Sequence, residues 1–209
     1  PVECASNSWG TCGLMVDCEG KMACSSTGDP HVKMFAGGPT AHPQGSGPFI
    51  LAQNSQKTFV VQVCHTPLAR KPSVSLNTAV AVQTPFGVLK RTRSAGWGAP
   101  PAGSGIVCSG ATCTLPTGET VAMTNKGVYV GLPSDYCGDV SGLCGSYNPG
   151  HSAGPFADKF AKADGSILDL TGQQLHGGGP FYGNYQSEFA NSYALASAES
   201  LFTNEECPV

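Results

Sequence analysis

The chain is poor in charge. Only 12% of its 209 residues are Asp, Glu, Lys or Arg, and the formal net charge is −3. Its basic residues are scattered, with Lys90, Arg91 and Arg93 the nearest approach to a run. Phosphate binding needs a concentrated basic face, so this reading excludes nucleic acid as a partner. The chain also lacks an apolar run of roughly 18 residues, the length a membrane-spanning helix requires. It has no Asn-x-Ser/Thr sequon: after Asn7, Asn54, Asn77 and Asn191 the hydroxyl residue comes one position too early. No Gly-x-Ser-x-Gly nucleophile elbow and no His-Glu-x-x-His zinc helix occurs.

Gly (28), Pro (16) and Cys (10) are what the chain has in quantity. Such a composition is turn-rich and excludes a coiled coil or a charged disordered tail. An even, high cysteine count in this setting points to disulfides and an oxidising compartment, secreted or at the cell surface. Zinc would want closely paired cysteines with histidine partners, and the closest pair, Cys108 and Cys113, has no histidine beside it. A secreted chain starting at Pro1 is expected to have had its leader removed.

Residues 1–23 hold Cys4, Cys12 and Cys18 with almost no apolar periodicity, and read as a Cys-rich N-terminal arm. From residue 31 to about 132 the pattern has the period of strands: HVKMF, PFILAQ, KTFVVQVC, LNTAVAVQT, GVLKR, GIVC, ETVAM and VYVGL, separated by Gly/Pro-rich turns. In LNTAVAVQT the alternation puts Leu76, Thr78, Val80 and Val82 on one face and Asn77, Ala79, Ala81 and Gln83 on the other. Short strands at this spacing predict a mostly β fold, a disulfide-bonded antiparallel β-sandwich. Cys108 and Cys113 flank a tight turn and are expected to bridge locally. After residue 135 the chain is loop-rich, with a short helix expected within residues 185–202, where Phe189, Ser192, Tyr193 and Ala196 would share a face.

Four groups of residues are site candidates. Gly28-Asp29-Pro30-His31 admits a catalytic, a metal-ligating and a turn-forming reading. Cys64-His65 looks like a nucleophile–base pair, but neighbours on a strand point to opposite faces; Cys64 is expected in a bridge instead, with Cys137 the partner considered. His42, His151 and His176 lie in Gly/Pro-rich loops and are read as exposed, a surface metal site among them being the minor alternative. Trp97, Phe181, Tyr182 and Tyr185 sit among glycines and prolines, either as a partner-binding surface or folded back over sheet edges.

Taken in order, Cys24 followed by GDPHVKMF, then FILAQ, FVVQV, GLCGSYN and EFANSY…SLF resemble a von Willebrand factor type D (VWD) domain. The most specific part is Gly28-Asp29-Pro30-His31 paired with Gly142-Leu143-Cys144-Gly145, about 110 residues further on. The resemblance spans residues 24–207, a VWD-like domain following the arm. It implies a disulfide between Cys24 and Cys144. It also implies a calcium loop after Cys144, to which Asn148 and Asp158 would contribute, although Ser146, Lys159 and Ala36 depart from the usual ligands. The competing reading is a solvated loop without calcium, and no other cofactor is expected. Ser141 stands where the family often has the first cysteine of a Cys-x-x-Cys pair, so thiol exchange is not expected. In some members the Asp-Pro bond of this motif cuts itself; here that bond joins Asp29 to Pro30, with His31 as proton donor or relay. The implied function is non-enzymatic: a secreted or cell-surface module of adhesive or matrix assemblies, binding an extracellular protein or glycan or associating with itself. The alternatives are a secreted, luciferase-like enzyme on a VWD domain and a calcium-regulated binding module.

Overall fold

In chain order the strands are β1 (Met22–Thr27), β2 (His31–Lys33), β3 (Gly47–Asn54), β4 (Val60–Leu68), β5 (Lys71–Thr84), β6 (Gly87–Thr92), β7 (Val107–Ser109), β8 (Thr112–Thr114), β9 (Thr120–Met123), β10 (Gly127–Leu132) and β11 (Val140–Ser141), followed by a helix α1 (Asn184–Ser192). The computed structural model describes residues 22–35, 41–43, 45–145, 162–166 and 184–208. The strands form two antiparallel sheets, ordered β2-β1-β10-β9-β8-β7 and β11-β3-β4-β5-β6. The fold is mostly β, as the strand periodicity requires.

The sheets face each other across one apolar core. Val121, Met123, Val128, Val130 and Leu132 come from the first sheet; Phe49, Leu51, Val61, Val63, Val80, Val82 and Leu89 come from the second. These are the β-branched and long apolar residues of alternating strands, and burying them is the main favourable term in holding the sheets together. A polar link crosses the same interface. Asn77 Nδ2 donates to the Ser26 carbonyl at 3.1 Å and to Ser26 Oγ at 3.0 Å.

The strict alternation expected along β5 breaks in the middle. Cys64 pairs with Ala79 but His65 pairs with Asn77, leaving Thr78 as an extra residue. An extra residue inverts the parity of the strand. Val80 and Val82 therefore face the core on one side of the bulge, and Asn77 faces inward on the other. The outward face of the second sheet carries a smaller cluster of Cys64, Ala79 and Ala81, covered by Phe202 and Cys207. Gln62 fastens this cover: its Nε2 donates to the Glu199 carbonyl at 3.1 Å, and its Oε1 accepts from Leu201 N at 2.7 Å.

The helix occupies the start of the expected segment and ends at Ser192. Ile50 N donates to the Tyr193 carbonyl at 2.9 Å and Leu195 N to the Pro48 carbonyl at 2.9 Å. These bonds to β3 draw the chain out of the helix. Phe189 and Tyr193 remain buried, with ring centroids 5.5 Å apart in an edge-to-face arrangement.

Candidate functional site

Gly28, Asp29 and Pro30 form the loop between β1 and β2, whose flanking residues Thr27 and His31 are paired. Gly28 adopts φ +64°, a conformation that glycine reaches without a Cβ penalty. The loop is tied down by Gly28 N donating to the Lys126 carbonyl at 3.1 Å. Asp29 Oδ1 pairs with His31 Nε2 across the loop, and the two side chains are 44% and 39% exposed. Val32 exchanges both backbone hydrogen bonds with Ala41, at 2.7 and 3.0 Å. That short antiparallel bridge brings His42 opposite His31, with ring centroids 4.0 Å apart and nearly perpendicular planes. Burial and the neighbouring His31 both lower the His42 pKa, with Asp29 opposing them. The sequence reading of His42 as an exposed loop residue missed this, because the link runs through Ala41, which carries no chemical signal of its own.

The corner is joined covalently to Gly142-Leu143-Cys144-Gly145. Cys24 on β1 is bridged to Cys144, with Cα atoms 5.7 Å apart. The segment hooks onto β3 at a second bulge, where Ile50 pairs with Gln62 and Ala52 with Val61, leaving Leu51 extra. Leu143 N donates to the Ile50 carbonyl at 3.1 Å, Cys144 N to the Leu51 carbonyl at 2.9 Å, and Phe35 N to the Cys144 carbonyl at 3.1 Å. Burial raises the Tyr193 phenol pKa, and a hydrogen bond with the Gly142 backbone opposes that rise. Gly142 has φ +130°, and a Cβ there would lie 2.6 Å from the Leu51 carbonyl oxygen. Backbone atoms cannot yield to it cheaply. Gly142→Ala is expected to cost about 3 kcal/mol or more from strain and overpacking together. A denaturant midpoint unchanged by this substitution would show that the hook can shift.

Cys108 and Cys113 are bridged, with Cα atoms 4.0 Å apart across the β7–β8 hairpin. Cys64 is bridged to Cys207, not to Cys137, with Cα atoms 5.6 Å apart. This corrects the partner considered from sequence: the C-terminal segment folds over the outward face of β4, where Cys64 points. Cys137 is itself disulfide-bonded. His65 points to the opposite side and is fully buried against Phe49, so Cys64-His65 is not a nucleophile–base pair. Trp97 is half-buried against the core, and its indole N–H donates to the Ala111 carbonyl at 2.9 Å. Asn148, Asp158, His151, His176, Phe181 and Tyr182 lie outside the described residues, and of Tyr185 only the place in α1 is described.

One buried acid went unnoticed in the sequence. Glu119 is 3% exposed and accepts hydrogen bonds from the Thr117 and Tyr136 hydroxyls. Burial, followed by the bond to Glu119, pushes the Tyr136 phenol up. With both donors committed locally, Glu119 reads as a buried strut and not as an acid awaiting a substrate. Among the described residues no group of three or more His, Cys, Asp and Glu could hold a metal ion, and no helix is long and apolar enough to cross a membrane. Comparison with protein-family models and with curated proteins finds no match. The site is therefore read from its geometry.

Proposed function

We propose that the chain is an extracellular interaction module of the VWD class, displaying loops on a covalently clamped β-sandwich. The carrying observation is the pair of long-range disulfides, which span 120 and 143 residues of sequence and tie down the Gly142–Gly145 hook and the C-terminal cover. Such ties suit a scaffold that must keep its shape outside the cell. The partner is an extracellular protein or glycan. Intact mass before and after reduction tests the scaffold. Five internal bridges would place the unreduced monomer about 10 Da below its all-thiol mass. Free thiols on the folded monomer, or a covalent dimer, would count against a closed scaffold.

The geometry of the corner favours a second reading, latent cleavage at Asp29-Pro30. The Asp29 side-chain carboxylate can attack its own backbone carbonyl carbon, forming a carbon–oxygen bond and a cyclic anhydride. The carbon–nitrogen bond to Pro30 breaks as the proline nitrogen takes a proton. His31, paired with that carboxylate and backed by His42, is placed to deliver the proton. Water then opens the anhydride. The expected result is release of a fragment ending at Asp29 on reduction, formed faster at mildly acidic than at neutral pH and not at all in Asp29→Asn. A chain that stays whole at both pH values would make Asp29, Pro30 and His31 an architectural corner only.

A further inference from the structure

A cleft of about 310 Å³ opens between the end of β6 and the turn that joins β9 to β10, lined by Arg91, Arg93, Met123, Thr124 and Asn125. Arg91 lies on β6 and Arg93 in the bend just after it, and both line the cleft. Each guanidinium is anchored by one nitrogen to a backbone carbonyl. Arg91 Nη1 donates to Gly110 at 3.1 Å and Arg93 Nε to Asn77 at 2.8 Å. Among the described residues neither is ion-paired to a carboxylate; the ion pairs are Asp29–His31, Lys90–Glu206 and Lys162–Glu188. A guanidinium has five N–H donors in a planar fork, so most of the donors of both groups are left uncommitted.

Two unneutralised cations side by side repel each other, and a chain of net charge −3 has acids enough to have paired them. The carbonyl anchors instead hold both forks in place while leaving their charge open. Met123 is buried and supplies an apolar floor, and the exposed Asn125 adds a neutral polar rim. The volume is at the small end of ligand pockets, roughly 300–1,000 Å³. We propose that this cleft binds the oxyanion group, carboxylate or sulfate, of a small acidic ligand such as a single acidic sugar unit. Arginine forks match the planar geometry of such groups with paired hydrogen bonds, which a lysine cluster would not do. The proposal does not rest on the VWD reading, and the cleft shares no residue with the Asp29 corner.

The test is an NMR titration of the full chain at low ionic strength, following the amide signals of residues 91, 93, 124 and 125 and the arginine Nε–H signals. The probes are inorganic sulfate, glucuronate and neutral glucose. Saturable shifts confined to the cleft are expected with the anions and none with glucose. Binding of only one anion keeps the proposal and assigns the source, sulfate ester or carboxylate. Arg93→Gln should weaken binding about tenfold to a hundredfold, the loss expected for charge-assisted hydrogen bonds. Lys57→Gln, which removes the same charge from the β3–β4 turn, beside Gln83 and outside the cleft lining, should leave it unchanged. Preserved signal dispersion in both variants would show that they fold. No saturable shift with either anion, or equal weakening by Lys57→Gln, would overturn the proposal.

Discussion

Replacing Cys24 and Cys144 together by alanine should lower the stability of the fold by roughly 4–5 kcal/mol, the chain-entropy value for a loop of this length. The bridge closes 120 residues of sequence. Without it the unfolded ensemble regains most of that freedom, while the folded state keeps its sheets. Both cysteines are buried in the main core, so the substitution also leaves a small void. The hook should suffer most. Cys144 holds it to β3 and to Phe35 through backbone bonds that the disulfide keeps in register. Denaturant unfolding under non-reducing conditions measures the first effect, and proteolysis near Gly142–Gly145 the second. A loss below about 1 kcal/mol would mean that packing alone holds the hook, and the covalent-scaffold reading would fail with it.

Acid should destabilise the protein through His65. The side chain is fully buried, its ring lies 4.6 Å from that of Phe49, and neither ring nitrogen makes a hydrogen bond of good geometry. The Asn77 side chain weakly favours the charged form, but its amide is committed to Ser26. Burial dominates and lowers the pKa from 6.5 to about 4. The unfolded chain therefore takes up its proton near pH 6.5 and the folded chain only near pH 4. In that window the unfolded state binds more protons. The stability is fully present above about pH 6.5 and drains away as the pH falls toward 4, by about 3 kcal/mol in all. The lowered pKa of His42 acts in the same direction. His65→Phe should flatten this part of the pH profile and cost little at neutral pH, since no hydrogen bond is lost. If wild type and variant lost stability in parallel between pH 7 and 4, His65 would not be the cause.

The two effects meet at the corner loop. A fold loosened by acid would also present Asp29-Pro30 to the conditions that favour its cleavage. Measuring unfolding and fragment release on the same samples separates them, because Asp29→Asn blocks the fragment and leaves the His65 slope in place.

Much of the architecture was legible in the residues. Short runs of apolar, β-branched and aromatic residues in PFILAQ, KTFVVQVC and VYVGL marked strands, and turn residues marked their ends. Cys108 and Cys113 were legible as a pair because a tight turn separates them. The strand Met22–Thr27 was not, because Ser25, Ser26 and Thr27 carry little apolar signal even though the strand lies between two partners in its sheet. The alternation of β5 held from Ala79 onward but misled at Thr78 and before it, since a bulge depends on the partner strand and leaves no local mark. The short helix was legible but not the point where it ends, because that end is set by hydrogen bonds to β3, more than 140 residues away in sequence.

By itself, then, the sequence determined a turn-rich, mostly β, disulfide-bonded chain with little charge to spend on polyanionic partners. Local period, turn chemistry and composition carry that information, because each is decided within a few residues. Only the tertiary structure decided which residues meet. It set His42 beside His31, bridged Cys64 to Cys207, buried His65 beside Phe49, and left Arg91 and Arg93 open to one cleft. Those contacts follow from sheet order, bulges and the path of the C-terminal cover. They are settled by how whole faces bury against one another, which no short stretch of sequence records.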